Sequence, residues 1–244
     1  MSINSYQMAQ DLLQRFEDKD GEELLSTIIK DVFLDRICLV SSFGAESALL
    51  LDMVSRIDPA FPVIFIDTQK LFPETLEYRD KLIKHFSLQD VRTYYPDYAE
   101  TSRSDPHETL WKNDVNACCY IRKVEPLERA LKGFDAWITG RKRYHGATRE
   151  NMPLIESANG RIKINPLAKW NKKDIGNAFE KLNAPAHPLT SKGYLSIGCQ
   201  PCTAIPNNPD DTRSGRWQGQ EKTECGIHLD GNSGLQRSKD KIMD

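Results

Sequence analysis

The chain reads as an α/β protein, a mostly parallel sheet flanked by helices with a flexible C-terminal tail. Three observations lead there. Short, β-branched apolar runs recur that are too brief for helices, and the segments between them carry apolar residues at three-and-four spacing. After Cys202 the sequence turns polar and Pro-containing, as AIPNNPDDTRSGRWQGQ. Strands that are apolar throughout, rather than alternating, belong to sheets covered on both faces.

Up to about Asp35 the spacing is helical, through Leu12, Leu13 and Phe16 and then Leu24, Leu25, Ile28, Ile29 and Val32. ICLVSS is a strand that runs into a Phe43-Gly44 turn, and AESALLLDMVSR follows as a helix. PVIFIDT repeats the strand signal. PETLEYRDKLIKHF is a helix with Pro73 in its first turn, where a missing N–H is harmless. DVRTYY is a weaker third strand. A mixed segment precedes a helix expected from about Asn116 to Leu131, and AWITG is the next strand. Asn171 caps a last helix, KKDIGNAFEKL. The expected organisation is one domain over residues 1–202, helical over 1–35, followed by a mobile segment over 203–244.

Composition narrows the function classes. At 244 residues, with 39% hydrophobic residues and a net charge of −2, the chain is neither disordered nor a coiled coil. Six cysteines are too few for a disulfide scaffold. The N-terminus has no basic start before an apolar run, and the longest uncharged stretch, from Gly193 to Pro209, is too rich in Gly, Pro, Asn and Gln to span a membrane. A cytoplasmic protein with reduced thiols is expected. Charge is uneven: from Cys118 to Arg149 there are eight Lys or Arg against three acidic residues. That excess suits an anion-binding wall, although part of it is a solvated helix face.

Four groups of residues carry chemistry. Ser41-Ser42-Phe43-Gly44-Ala45-Glu46-Ser47 joins a strand to a helix, where hydroxyls and free N–H groups receive a phosphate; the plain alternative is an ordinary turn, since the Walker A lysine is absent. Asp67-Thr68 ends the next strand and either lines the same crevice or caps the following helix. Cys118-Cys119 and Cys199-Gln200-Pro201-Cys202 offer four thiols, which suit zinc, an iron–sulfur cluster or a redox disulfide. Cys225, in ECGIH, is a thiol in a polar, loop-rich setting, suited to nucleophilic attack unless it is an idle surface residue. Arg122, Lys123, Arg141, Lys142, Arg143, Arg149, Arg213 and Arg216 are the candidate anion partners; Cys38 is strand packing.

Taken in order, SSFGAES, IDTQKLFPET, CCYIRKVEPL, WITGRKR, GYLSIGCQPCT, GRW and ECGIH resemble the assimilatory adenylyl-sulfate and phosphoadenylyl-sulfate reductases, over roughly Cys38 to His228. The resemblance implies an adenine nucleotide α-hydrolase-like fold with a modified pyrophosphate loop. The CC…CxxC set is similar to that of the iron–sulfur branch, most of which reduces adenosine 5′-phosphosulfate (APS). The resemblance further implies a [4Fe-4S] cluster on Cys118, Cys119, Cys199 and Cys202, with Cys225 as nucleophile. It implies nucleotide contacts from Ser41, Ser42, Phe43, Gly44, Ala45, Thr68 and Gly140, a role for Lys123 between cluster and substrate, and sulfate contacts from Arg149, Arg213, Arg216 and His228. The implied reaction is thioredoxin- or glutaredoxin-dependent reduction of APS to sulfite and AMP through an enzyme S-sulfocysteine, in sulfate assimilation and cysteine biosynthesis. No nucleic acid or membrane partner is expected, and homo-oligomer formation is left open.

Two departures bear on the substrate. Gln69 stands where many such proteins have Gly, and Tyr144-His145-Gly146-Ala147 replaces the usual sequence after the basic triplet. Both leave the 3′-phosphorylated nucleotide (PAPS) open as the alternative substrate. Two further alternatives are an ATP pyrophosphatase acting on RNA and a non-catalytic zinc module. The residues beyond Cys225 are expected to be disordered.

Overall fold

A computed structural model describes residues 4–146, 149–208 and 211–228; the end of the chain, expected to be disordered, lies largely outside them. Strand β1 (Ile37–Ser41) is the centre of the molecule. It pairs in parallel with β2 (Val63–Ile66) on one side and, later in the chain, with β4 (Ala136–Ile138) on the other. With β3 (Val91–Tyr94), β5 (Ile155–Ala158) and β6 (Arg161–Ile164), the sheet runs β3-β2-β1-β4-β6-β5, and β5 is antiparallel to β6. The chain therefore builds outward from β1 in one direction and restarts on its other side. Between β1 and β4 the strand order reverses, and in open α/β sheets a ligand crevice forms at the carboxyl ends of strands flanking such a reversal.

The helices cover both faces. α1 (Ser5–Arg15) lies against β5 and β6, capped by the Asn4 side chain, and α2 (Gly21–Thr27) runs into a π turn over Ile28–Val32. α3 (Ser47–Ile57) buries Ala48, Leu49, Leu50, Leu51, Met53 and Val54, so it is apolar on most of its surface. A buried Leu or Ile contributes roughly 1.5–3 kcal/mol through transfer from water, and Leu39, Leu51, Ile37 and Ile64 are all at most 1% exposed. α4 (Pro73–His85) starts on Pro73 as the sequence predicts. Short α5 (Tyr98–Ser104) and α6 (Leu110–Asn113) occupy the mixed segment.

The helix expected from Asn116 to Leu131 forms in three parts: α7 (Val115–Cys119), a π turn over Tyr120–Val124, and α8 (Glu125–Ala130). Pro126 explains the interruption. It has no N–H for the carbonyl four residues back, and its ring crowds that carbonyl, so the helix widens just before it. α9 (Lys172–Leu182) begins at Asn171 with a full capping box, Asn171 Oδ1 accepting from the Lys173 and Asp174 N–H groups and Asp174 accepting from the Asn171 N–H. The β5–β6 hairpin was not anticipated. Its turn, Asn159-Gly160, has both residues at positive φ (50° and 76°), which is the tight hairpin turn that Asn-Gly favours.

Candidate active site

The crevice opens at the ends of β1, β2 and β4, as a cavity of about 230 Å³. One wall is the loop after β1. Ser41, Ser42, Gly44 and Ala45 line it, as do Glu46 and Ser47 at the start of α3. Phe43, expected with them, sends its side chain into the core instead, edge-on to Phe65 at 5.3 Å between ring centres. Its backbone is left-handed (φ 48°) and its N–H donates to Ser41 Oγ at 3.2 Å. That twist separates the polar residues, which face the cavity, from the ring, which anchors the loop.

The loop after β2 forms the next wall. Thr68 is buried, its Oγ1 accepts the Lys70 N–H at 3.2 Å, and the same hydroxyl lies 3.2 Å from Cys199 Sγ. Gln69 adopts φ 59°, supported by its N–H donated to Asp67 Oδ1 at 2.9 Å. Behind this loop Arg122 is fully enclosed. It donates to the Thr68 carbonyl at 3.2 Å and pairs with Asp105 at 2.9 Å.

The cysteines come from two places. α7, capped by the Asp114 carboxylate on the Asn116 and Ala117 N–H groups, ends on Cys118 and Cys119. The π turn that follows puts Arg122 behind Thr68 and Lys123 in the cavity wall. Cys199 and Cys202 sit on a tight turn pinned to the Thr68 loop, with the Gln200 N–H on the Lys70 carbonyl at 2.7 Å and a bridge between Leu71 and Cys199. Gly198 leaves room here for the Arg216 guanidinium, which a Cβ would displace. All of these thiols are free. Burial, and then the charges of Cys119 and Cys199, pushes the Cys118 thiol up to about 12, and burial pushes Cys119 up to about 11. Cys118 lies near enough to the other three thiols for their charges to bear on it.

Among the described residues no three His, Cys, Asp or Glu side chains converge tightly enough for a single metal ion. A cluster, in which each thiolate takes a different iron, asks for a wider cage than one ion does. Soft sulfur donors, three of them buried and all repelling one another when ionised, fit such a cationic centre.

Cys225 closes the crevice from the other side. Burial opposes its ionisation, but Lys123, the Ile227 N–H and Arg216 outweigh that and bring the thiol below its ordinary range. Its own N–H donates to Glu224 Oε1 at 2.8 Å. Glu224 is clamped by Arg149 through two hydrogen bonds, at 2.5 and 2.8 Å, and lies 3.5 Å from Arg213. Burial works against its charge, yet Arg149 and Arg213 bring its carboxyl down to about 2. His228 stacks flat on Trp137 of β4, with ring centres 6.1 Å apart, so the strand itself seats the segment carrying Cys225.

Ser41, Ser42, Gly44, Ala45, Thr68, Lys123, Gly140, Arg149, Arg213, Arg216, Cys225 and His228 thus meet in one cavity. Arg141 and Lys142 line it too, but each is tied to a carboxylate, Arg141 to Glu156 and Lys142 to Glu46 at 2.6 Å. Glu46, Trp137, Trp217 and Glu224, to which the sequence assigns no role, also line the cavity, as does His145 from the departure after the basic triplet. Glu46, Trp137, Trp217 and Glu224 all stand inside the motifs SSFGAES, WITGRKR, GRW and ECGIH. Glu46 gathers Lys142, Tyr144 and His145, and the first and last of these outweigh burial to keep its carboxyl far below the usual range.

A mostly parallel sheet with this order and a crevice at its reversal is a doubly wound nucleotide-binding arrangement, and its likeness to solved structures makes it the adenine nucleotide α-hydrolase-like fold. Yeast FAD synthetase in complex with FAD shares it at a TM-score of 0.54 and 14% identity, over 82% of this chain and 68% of that one. Within that class, residues 36–205 match the phosphoadenosine phosphosulfate reductase domain, and the chain belongs to that family. It is 47% identical to an adenosine 5′-phosphosulfate reductase of Mesorhizobium japonicum over 86% of this chain and 82% of that protein. It is 37% identical to a phosphoadenosine 5′-phosphosulfate reductase of Gloeobacter violaceus, over 89% and 92%. The crystal structure of phosphoadenylyl-sulfate reductase from Candida auris, in a phosphate complex, superposes with a TM-score of 0.70 at 27% identity, covering 84% of this chain and all of that one.

Proposed function

We propose that the protein reduces APS to sulfite and AMP, with a dithiol protein of the thioredoxin or glutaredoxin type as reductant. The observation that carries this is the placement of Cys225 beside Lys123, Arg149, Arg213, Arg216 and His228 in one cavity. In that setting the Cys225 thiolate attacks the sulfur of the bound phosphosulfate. An S–S bond forms, the bond from sulfur to the phosphate oxygen breaks, and AMP leaves with the electron pair. Approach of one anion to another requires cations already in place. Lys123, with burial opposing, holds its proton firmly because the charges of Cys199, Cys225 and Cys119 favour it. Sulfite is released when a donor thiolate attacks Cys225 Sγ. Sulfite then departs with the pair, a mixed disulfide remains, and the donor's second thiol resolves it; the two electrons come from that dithiol.

Ser41, Ser42, Gly44, Ala45, Thr68 and Gly140 are assigned to the nucleotide, with Phe43 bracing their loop from the core. Arg213, Arg216 and His228 are assigned to the sulfate-bearing end, and Arg149, paired with Glu224, serves that end by fixing the segment that carries Cys225. Cys118, Cys119, Cys199 and Cys202 would hold a [4Fe-4S] cluster, which would supply fixed charge and a rigid anchor for the Thr68 loop and for Lys123. APS is favoured over PAPS by the relatives at 41–47% identity, which are named adenosine 5′-phosphosulfate reductases. Among the described residues no helix is long and apolar enough to cross a membrane; a cytoplasmic location is part of the proposal.

An anaerobic assay with APS, PAPS and reduced thioredoxin, alongside iron and sulfide counts, tests this reading. Sulfite formation with a higher kcat/KM for APS is expected. Cys225→Ser is expected to abolish sulfite and leave the iron and sulfide content unchanged. Turnover retained in that variant would sink the assignment, and a strong preference for PAPS would move it to the second nucleotide.

A further inference from the structure

Trp217 is 3% exposed, lines the cavity, and has three cations around its ring. The guanidinium carbons of Arg216 and Arg213 lie 4.5 and 5.5 Å from the ring centre, and the Lys222 ammonium lies 5.8 Å from it. The backbone of Trp217 is in the left-handed region (φ 51°), which a bulky residue adopts only when its surroundings impose it. The cysteine turn does so: the Trp217 N–H donates to the Cys202 carbonyl at 3.2 Å, and Arg216 Nε donates to the same oxygen at 3.2 Å. Indole and arginine are thus aimed from one fixed point. Among the described residues the buried indole Nε1–H has no acceptor.

Cations crowded together in a buried crevice repel one another and tend to swing toward water. The usual remedy is a carboxylate, as Asp105 provides for Arg122 and Glu224 for Arg149. A carboxylate would also cancel the charge and occupy the N–H groups that an anionic ligand needs. Among the described residues Arg216 has no ion pair, and the acid near Arg213 is already clamped by Arg149. The negative face of an indole attracts a cation without neutralising it or using its donors, and Trp has the strongest face.

We propose that Trp217 is a positioning residue: its ring holds Arg213 and Arg216 at the anion end of the crevice, charged and with guanidinium donors left over, beyond those on the Thr223 and Cys202 carbonyls, for the sulfate-bearing end of the nucleotide. This rests on the function proposed above. A residue serving only the fold would affect AMP and APS alike. One that positions the arginines affects the ligand carrying the sulfate.

Equilibrium dialysis of labelled APS and AMP against the iron-loaded Cys225→Ser protein, in which the nucleotide is not consumed, separates the two. Adding Trp217→Leu is expected to weaken APS binding on the order of tenfold, the loss of one desolvated cation–π contact, and AMP by under about twofold. Trp217→Phe, which keeps an aromatic face, is expected to lose about threefold for APS alone, and it decides the matter if the leucine variant does not fold. Equal losses for APS and AMP, or no loss for either, overturn the proposal, as does Phe behaving no better than a folded Leu variant. Failure of the underlying reading shows separately, as no sulfite from APS or PAPS with the unsubstituted chain.

Discussion

The two walls of the crevice are built on different principles. The wall from β1 and β2 is made of strand-end loops with hydroxyls and backbone groups, and one core side chain, Phe43, anchors it. The wall carrying Cys118, Cys119, Lys123, Cys199 and Trp217 has little regular structure: one short helix, a π turn and a tight turn, cross-linked by side-chain and carbonyl contacts. The first wall is held by the sheet and the second by specific polar bonds. Polar bonds in a buried setting give up far more when one partner is removed, so the second wall is where single substitutions should do the most damage.

Arg122 gives the largest expected effect. It belongs to the cysteine wall, yet its guanidinium reaches the Thr68 carbonyl of the other wall and pairs with Asp105, both partners being at most 5% exposed at the side chain. Arg122→Leu strands the Asp105 carboxylate in the interior, which costs about 3–5 kcal/mol. Urea midpoints should fall accordingly. The double variant Arg122→Leu with Asp105→Asn should recover much of the loss, because no buried charge is then left alone. A single variant with an unchanged midpoint would mean the walls are not joined there.

The same contrast explains what could be read beforehand. β1, β2, α3 and α4 were legible because buried strands and amphipathic helices impose a period on the sequence. The Asn171 cap was legible because its chemistry is local. The β5–β6 hairpin carried a signal, Asn159-Gly160, but lies in a segment of mixed polarity where the strand pattern is weak. The π turn was hidden because only Pro126 marks it, and a proline deep in an expected helix signals an interruption without saying whether it is a kink, a break or a widened turn. The cysteine motifs and the basic excess pointed to the second wall without its geometry. Trp217 and Glu224 stood in plain view within GRW and ECGIH, but their roles depend on partners far along the chain. Glu224 meets Arg149 and Trp217 meets Cys202, and no local rule connects such residues.

A smaller effect should come from beneath the first wall. His187 is buried against Tyr78, its Nδ1 accepts the Leu189 N–H at 3.2 Å, and its Nε2 lies 3.1 Å from the Thr75 hydroxyl. In the neutral ring the proton must therefore sit on Nε2 and point at Thr75, a cavity residue. Burial holds this imidazole down to about 4, against 6.5 for a free histidine. A base whose folded pKa is depressed stabilises the fold above its unfolded pKa, and that stability drains away as pH falls through the window from about 6.5 toward 4. The slope approaches about 1.4 kcal/mol per pH unit within the window. His145 and His228 are shifted the same way by burial and add to it. Comparing urea midpoints at pH 7 and pH 5 for the wild type and His187→Asn isolates one histidine's share; equal pH sensitivity in both would mean His187 is not held neutral.

The smallest effect tests whether the first wall tolerates damage at a distance. α9 packs on α3, whose first turn lines the crevice, but none of its own residues reaches the cavity. Asn171→Ala removes the side-chain acceptor for the Lys173 and Asp174 N–H groups and should lower stability by about 1 kcal/mol. α3 is fixed mainly by its six buried side chains rather than by α9 alone. The loop after β1 should therefore keep its shape, and kcat/KM for the sulfonucleotide should stay at the wild-type value while the midpoint falls. A parallel fall in kcat/KM would show that the sheet-held wall depends on its outer helix, and that the two walls are equally fragile.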